Sequence, residues 1–412
     1  MGRLRTKHGP LVGEVARIAP GGDGVLDTPV GPVYVPMAVQ GDRLRVALEG
    51  KGRRLRGRVV EVLAAGPDRR SSPCSLAGRC GGCPWIVMTE DAQRNLKRAW
   101  LARALPSFPP EGVGFTAAES LHYRARARLA WNRGRVGLRV RRSRAVCDVP
   151  SCAVLAPALD SALAPLRTLP LAGQGELRLA LRDERSVAVL STDDPQPPEV
   201  YGGCERLVSE GLLAGMVLRV AGAEARWGEP AAERRAGLDG APVEGAVAGF
   251  SQAHGPLNTA LVTYVRRQAT PAGKRVLELF AGSGNLSVAL AAEATEFLAV
   301  ESDGAAADAC RRNLRARGVP GRVRVGDANE PPLIDAEVAV LDPPRIGAKG
   351  AVRALAVRTK LRRVVYVSCR LATLERDLRE LVGAGWKITA ARGFDMFPQT
   401  PHLESVVTLE RG

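Results

Sequence analysis

Short apolar segments alternate with amphipathic segments through residues 245–412, and this alternation constrains the fold more than any other feature. It is typical of parallel strands that are buried on both faces and connected by helices. It predicts a Rossmann-like, doubly wound α/β sheet with strands at residues 275–279, 297–300, 322–325, 338–341 and 364–367. Two further apolar segments, at 386–391 and 405–410, have no helix between them, so the last strand can lie antiparallel.

A glycine-rich turn at residues 279–285 follows the first of these strands. Glycines let a ligand approach the backbone, and the helix that begins there supplies free N–H donors. The dinucleotide fingerprint is incomplete because Ser287 stands in place of its third glycine, and no lysine follows as in a phosphate-binding loop. Glu301 and Asp327 end the next two strands, where they can accept hydrogen bonds from a ribose and an adenine. Each could be an ordinary helix cap, but together with the turn they favour a nucleoside cofactor.

Three candidate reactive residues lie at the predicted carboxyl edge of the sheet: Asp342, Cys369 and Glu404. The Asp-Pro-Pro segment alone would also suit methylation of an exocyclic amine. The cysteine could be an inert core residue and the glutamate a surface residue. Arg370 and the helix start at Leu371 would favour the thiolate form of the cysteine. A thiol that adds to C6 of uracil and a carboxylate that removes the C5 proton are the minimum set for methylating C5.

These elements, in this order, resemble the RNA uracil-5-methyltransferase family. The matching segments are residues 250–252, 279–285, 342–345, 368–369 with 373–377, and 395–398 with 402–404. The resemblance implies S-adenosylmethionine as cofactor, Cys369 as nucleophile and Glu404 as base. It also implies that a set of further residues lines the pocket for the cofactor and the target base: Gln252, Phe280, Gly282, Gly284, Asn285, Glu301, Asp327 and Asp342.

The chain departs from the pattern of this family at three positions. Arg370 and Leu371 stand where an Asn-Pro pair is usual, His254 where asparagine is common, and Gln399 where histidine is common. The first departure lies in the loop that carries the nucleophile, so it bears on rate and substrate preference.

The front of the chain is strongly basic. Residues 1–150 contain 27 Lys and Arg against 12 Asp and Glu, whereas the remainder contains 32 against 31. This asymmetry indicates a part that binds a polyanion and a part that performs chemistry, although a basic surface also serves solubility. Short strands broken by turns at residues 10–64 predict a small oligonucleotide-binding barrel. Arginines alternate at residues 124–128 on a predicted strand, which places them on one face as a plausible phosphate-contacting surface or a protective edge.

Eight cysteines are too few for a disulfide scaffold, and their clustering favours a metal site. Cys74, Cys80 and Cys83 lie close in sequence, and four thiolates can hold either a 4Fe–4S cluster or zinc, between which spacing does not decide. The arrangement resembles the iron–sulfur signature of the ribosomal-RNA branch of the family, which implies a 4Fe–4S cluster with Cys152, rather than Cys147, as the fourth ligand. Residues 10–64 resemble the TRAM domain of the same branch.

The sequence therefore predicts three domains: a TRAM-like barrel at 1–64, an α+β central RNA-binding domain with the cysteine cluster at 65–244, and a methyltransferase domain at 245–412. No apolar run is long enough to span a membrane and no secretory leader is evident, so we expect a cytoplasmic protein. The expected partner is RNA, with 23S ribosomal RNA favoured over transfer RNA and no obligate protein partner inferred. The alternative from another class is a non-catalytic RNA-binding or assembly factor.

Overall fold

The computed structural model describes residues 10–29, 31–49, 55–229 and 232–411. Residues 1–9 of the predicted first domain lie outside this description. Within the described residues, the N-terminal strands are β1 (Leu11–Ile18), β2 (Gly24–Leu26), β3 (Val33–Val35), β4 (Arg43–Glu49) and β5 (Leu55–Ala64). They close into a barrel in the order β1-β2-β3-β5-β4. Alternate apolar side chains fill it, including Leu44 and Val46, which are fully buried. The predicted small barrel is confirmed.

The central region contains a second sheet covered by two helices. Its strands are β7 (Arg126–Asn132), β8 (Arg135–Arg139), β9 (Val146–Asp148), β10 (Gln174–Arg182), β11 (Arg185–Thr192), β12 (Gly215–Val220), β13 (Ala223–Gly228), β14 (Ala232–Ala236) and β15 (Pro242–Ala246). The main path runs β13-β12-β11-β10-β7-β8-β9, and β14 pairs with β10 and β15. Helices α2 (Pro157–Leu166) and α3 (Pro198–Ser209) bury their apolar faces on this sheet in one shared core.

The C-terminal sheet contains the strands that the alternating pattern predicted: β16 (Arg275–Leu279), β17 (Glu296–Glu301), β18 (Arg322–Val325), β19 (Val338–Leu341), β20 (Arg363–Ser368), β21 (Lys387–Phe394) and β22 (Glu404–Glu410). The first five are mutually parallel, and β22 lies antiparallel between β20 and β21. Both predictions are confirmed. The helices of this part are α4 (Gly255–Ala269), α5 (Ser287–Ala291), α6 (Gly304–Arg315), α7 (Lys349–Ala356) and α8 (Leu371–Gly383).

A helix and a strand from earlier in the chain complete this sheet. Helix α1 (Glu90–Ala104) leads through a short 3-10 turn to β6 (Val113–Thr116), which pairs in parallel with β21 at the sheet edge. Leu101 of α1 and Val113 of β6 share one buried core with Leu374 and Leu378 of α8. The methyltransferase core therefore includes residues that precede the central sheet in sequence.

The alternating arginines near the start of β7 make contacts within the protein. Arg126 forms an ion pair with Glu233 at 3.1 Å, and its guanidinium donates to the carbonyls of Val247 (2.9 Å) and Gly249 (2.6 Å). Arg124 donates from Nε to the carbonyl of Arg126 at 2.9 Å. Arg126 therefore holds β7 to the segment that leads into the C-terminal sheet, and Arg128 is the one exposed member of the predicted phosphate-contacting face.

The longest described helices, α1 and α4, contain 15 residues each. None of the helices in the described part of the chain is both long and apolar enough to cross a membrane.

Candidate active site

Parallel pairing aligns the strand ends at the carboxyl edge of the C-terminal sheet. Leu279 at the end of β16 is in register with Val300 of β17 on one side and with the last residue of β19 on the other. The residues that follow in each strand, Phe280, Glu301 and Asp342, therefore lie side by side at this edge. The structure thus brings together three of the predicted pocket residues from three separate segments.

The glycine-rich turn is folded tightly over this edge. Phe280, Gly282 and Gly284 all have positive φ, at +64°, +56° and +91°. A Cβ on Gly284 would lie 2.9 Å from Sγ of Cys310, so glycine is needed there for space as well as for conformation. The N–H of Gly282 donates to Oε2 of Glu301 at 2.8 Å. The turn and the acidic strand end therefore form one unit.

Two buried side chains near this turn each have one oxygen without a hydrogen-bond partner in the described structure. Gln252 is 6% exposed and its Oε1 accepts no hydrogen bond. Glu278, in the middle of β16, is 2% exposed, and its Oε2 is likewise unpaired. Burial raises the pKa of Glu278 to about 8. Buried polar atoms normally find partners, so these two suit a polar ligand. Sequence reasoning missed Glu278, although a glutamate inside an apolar strand was a visible signal.

Asn285 and Asp327 have different surroundings from the other predicted pocket residues. The amide of Asn285 pairs both ways with Asn258 of α4, at 2.8 and 3.0 Å, so Asn258 is a partner that the sequence did not reveal. Asp327 is exposed beyond β18, and its Oδ1 accepts from the backbone N–H of Asn329 at 2.8 Å. Their contact with a cofactor stays a prediction.

Cys369 and Glu404 lie opposite each other across two paired strands. Ser368 at the end of β20 is in register with Ser405 near the start of β22. The next residue of one strand, Cys369, therefore meets the preceding residue of the other, Glu404. Glu404 is 2% exposed, whereas Arg345 beside the pair is exposed at the rim. Residues 35 positions apart in the sequence thus lie beside each other at the sheet edge.

The surroundings of Cys369 raise the pKa of its thiol. Burial raises its pKa to about 11, and the neighbouring carboxyl groups of Glu404 and Asp342 raise it further, whereas Arg345 acts in the opposite direction. The cation that lowers the pKa is Arg345 rather than the predicted Arg370, and burial outweighs it. Burial also raises the pKa of Asp342 to about 7 and raises that of Glu404.

Two of the three departures from the family pattern lie in well-packed positions. The ring of His254 stacks on Tyr123 with centroids 4.7 Å apart, and its Nε2 lies 3.0 Å from the carbonyl of Glu119. Gln399 is fully buried, and its backbone N–H donates to Oε1 of Gln93 at 2.9 Å. The third departure, Arg370, is exposed at the start of α8, beside the nucleophile.

The four predicted metal-binding cysteines surround one small apolar cavity. Cys74, Cys80, Cys83 and Cys152 all line it, whereas Cys147 lines a different, more open depression. Burial raises the pKa of Cys80 to about 11 and that of Cys83 to about 12. In the described residues, no group of three or more His, Cys, Asp or Glu side chains is arranged to hold a metal ion.

Comparison with known proteins defines the class of the fold and site. Residues 334–412 match the family model described as tRNA (Uracil-5-)-methyltransferase, and residues 263–369 match the model described as Conserved hypothetical protein 95. The crystal structure of Pyrococcus abyssi tRNA (uracil-54, C5)-methyltransferase in complex with S-adenosyl-L-homocysteine aligns with a TM-score of 0.81 and 22% identity, covering 97% of this chain and 99% of that one. The fold is thus that of an α/β S-adenosylmethionine-dependent methyltransferase.

Curated relatives define the family more narrowly. The protein is 32% identical to the 23S rRNA (uracil(1939)-C(5))-methyltransferase RlmD of Chromohalobacter salexigens, over 96% of this chain and 88% of the relative. It is 33% identical to the enzyme of the same name from Pseudomonas putida, over 97% and 93%. The chain therefore belongs to the family of RNA uracil-C5-methyltransferases, which confirms the resemblance seen in its sequence.

Proposed function

We propose that the protein methylates C5 of a uridine in RNA, with S-adenosylmethionine as methyl donor, through a covalent bond between Cys369 and C6 of the uracil. The observation that carries this proposal is the pairing of β20 with β22. This pairing brings the thiol of Cys369 beside the buried carboxyl group of Glu404, near the glycine-rich turn. A protein that only bound RNA would need neither group.

The proposed reaction assigns one chemical task to each of these two residues. The Cys369 thiol loses its proton to solvent, and the thiolate Sγ forms a bond to C6 of the target uracil while the C5–C6 π electrons make C5 an electron-rich enolate carbon. S-Adenosylmethionine would supply the electrophilic methyl group to C5 and leave as S-adenosylhomocysteine. Glu404 then takes the C5 proton, and the electron pair of the broken C5–H bond restores the C5–C6 double bond as the thiolate leaves. Burial raises the pKa of Glu404, so its carboxylate is a stronger base than an exposed one.

The proposed cofactor pocket contains acidic and amide groups that suit a cationic nucleoside. The unpaired Oε1 of Gln252 offers an acceptor, and Glu301 and Asp342 are carboxyl groups at the same edge. A sulfonium and an ammonium group would be stabilised by such an acidic environment. The residues that we assign to this pocket are Gln252, Phe280, Gly282, Gly284, Asn285, Glu301, Asp327 and Asp342.

We further propose that the RNA is 23S ribosomal RNA, since the relatives similar over nearly the whole chain are named for that substrate. Purified protein should transfer a labelled methyl group to a transcript of the corresponding 23S region, and a Cys369→Ala variant should not. Transfer to tRNA transcripts alone would favour the transfer-RNA alternative. Binding without transfer to any cellular RNA would instead indicate a non-catalytic RNA-binding factor.

A 4Fe–4S cluster is the metal group that we propose for the four cysteines. One observation of the structure supports it: the four thiols line one cavity. A single zinc ion draws its four sulfurs to about 2.3 Å from one centre. The choice of a cluster over zinc rests on the resemblance of Cys74, Cys80, Cys83 and Cys152 to the iron–sulfur signature of the ribosomal-RNA branch of the family.

Metal analysis tests this cluster directly. Protein purified without air should contain about four irons and four sulfides per chain, with the broad visible absorption of an iron–sulfur centre. Cys152→Ser should lose this absorption, whereas Cys147→Ser should keep it, because Cys147 lines a different depression. Iron-free protein containing one zinc per chain would overturn the proposal.

A further inference from the structure

The loop at residues 395–403 connects β21 to β22 and ends at Glu404. Most of its neighbours come from far away in sequence, from helix α1 and from the segment that follows Cys83. The backbone N–H of Trp85 donates to the carbonyl of Gln399 at 3.0 Å. The hydroxyl of Tyr123 reaches the carbonyl of Pro398 at 3.4 Å. This loop is therefore fixed by contacts outside the C-terminal sheet.

Lys97 of α1 makes the most costly of these contacts. Its side chain is fully buried, its Nζ lies 2.5 Å from Oδ1 of Asp395, and it donates to the carbonyl of Phe397 at 3.1 Å. Its Nζ also lies 5.6 Å from the ring centroid of Trp85. Burying an ammonium group is unfavourable unless it is paired, and a hydrophobic pair of similar volume is often as stable. Stability alone does not account for this arrangement.

Gln93, one turn earlier on α1, holds the same loop through an amide pair. Its Nε2 donates to Oε1 of Gln399 at 2.9 Å, and its Oε1 accepts from the backbone N–H of Gln399 at 2.9 Å. Gln399 has a φ of +65°, an unfavourable conformation for a residue with a side chain. Gln93 is 1% exposed, so both ends of this pair are enclosed. The pair stabilises a strained point five residues before Glu404.

We propose that Lys97 and Gln93 are positioning residues for proton removal: by fixing the 395–403 loop, they hold the Glu404 carboxylate at C5 of the methylated intermediate. This inference rests on the proposed function. Neither residue touches the reacting atoms. Both act through the loop that leads into Glu404, the first residue of β22, whereas Cys369 directly follows β20. Weakening the loop should therefore slow proton removal and leave the bond formation at C6 largely unchanged.

The test separates these two steps with two RNA substrates and three variants. RNA containing 5-fluorouridine reports adduct formation alone, because fluorine replaces the C5 proton. Ordinary uridine RNA reports the complete turnover. For Lys97→Met and Gln93→Met, we expect adduct formation within about twofold of the parent protein and turnover lowered by about 100-fold, since a small misplacement of a catalytic group has effects of that size. Covalent adduct should then accumulate on ordinary uridine RNA.

The matched control is Arg94→Ala on the same helix, which removes ion pairs with Glu90 and Asp91 and a hydrogen bond to the carbonyl of Ala118. Among the described hydrogen bonds and ion pairs, none joins Arg94 to the 395–403 loop. Its turnover should equal that of the parent protein. If Lys97→Met does not fold, Gln93→Met decides, because it removes no charge. The positioning role would be overturned if the variants lost adduct formation on 5-fluorouridine RNA and turnover on uridine RNA equally. It would also be overturned if turnover fell without any accumulation of adduct on uridine RNA. Absence of any adduct with the parent protein would overturn the proposed function and this inference together.

Discussion

Gly284 in the glycine-rich turn combines a φ of +91° with close contact to Cys310 of α6. Gly284→Ala should therefore shift the turn and weaken binding of S-adenosylmethionine by about 5- to 150-fold, since a strained or displaced backbone costs about 1–3 kcal/mol. Titration calorimetry with the purified protein would measure this change.

Gly282→Ala is the matched control, because a Cβ there meets no atom within 4 Å and its φ is +56°. Its affinity should fall less than that of Gly284→Ala. Equal affinities for both variants would mean that contact with Cys310 does not shape the turn.

The raised pKa of Cys369 predicts how adduct formation depends on pH. A thiol with a pKa of about 11 is protonated at neutral pH, so its thiolate fraction grows as the pH rises toward that value. With saturating 5-fluorouridine RNA, the single-turnover rate should increase by about tenfold per pH unit between 7 and 9. Arg345→Ala should shift the profile to higher pH, because Arg345 lowers the pKa of this thiol. A flat profile would indicate that the thiolate is already formed.

At the scale of elements, the buried carboxylate of Asp42, just before β4, binds residues of the segment that follows β5. Asp42 is fully buried and accepts from the backbone N–H groups of Val39 and Gly66 and from the guanidinium of Arg69. Asp42→Asn should lower the free energy of unfolding of this part by about 3 kcal/mol, because it leaves the largely buried guanidinium of Arg69 without its charge partner. Urea unfolding followed by tryptophan fluorescence would measure this loss.

Asp27→Asn provides a comparison of the same chemistry at the surface. Asp27 pairs with Arg17 at 2.7 Å, but both side chains are more than half exposed. The free energy of unfolding should change by less than about 1 kcal/mol. If Asp27→Asn lowered the free energy of unfolding as much as Asp42→Asn, burial would not explain the larger effect expected at Asp42.

The strands of the C-terminal sheet could be predicted closely because each is a short apolar run bounded by polar or helix-forming segments. The pattern of apolar runs correctly placed the last residues of β16 and β19, Leu279 and Leu341. It also allowed the antiparallel direction of β22. The place of β6 in this sheet could not be predicted, since it depends on pairing with β21, far along the chain. Local periodicity contains no information on such long-range partners.

Among site residues, the sequence indicated Cys369 and Glu404 because motif order placed them at strand ends. It did not reveal Lys97, Gln93 or Asn258, whose roles arise from contacts between distant segments. It also did not reveal that burial outweighs the nearby cation and raises the pKa of Cys369. The residues that flank a position in the sequence therefore indicated its chemical role better than they indicated its burial and pKa.

For the whole molecule, the basic front half predicts RNA binding that weakens strongly with salt. Arg133 and Arg135 are exposed on the turn between β7 and β8. Replacing both with alanine should reduce the slope of log affinity against log salt by roughly 1 to 2, as two phosphate contacts are lost. Filter binding across a salt series measures the slope. The same change at Arg353 and Arg379, exposed in the nearly neutral C-terminal part, should leave it unaltered.

The covalent bond between Cys369 and uracil is the central claim, and mass spectrometry of a trapped complex tests it most directly. The protein is mixed with the methyl donor and RNA containing 5-fluorouridine, then denatured and digested. We expect a 5-fluorouridine that carries the transferred methyl group and is bonded through C6 to the peptide containing Cys369. We expect no such bond in Cys369→Ala. Absence of any adduct in the parent protein, or an adduct that persists in Cys369→Ala, would contradict it.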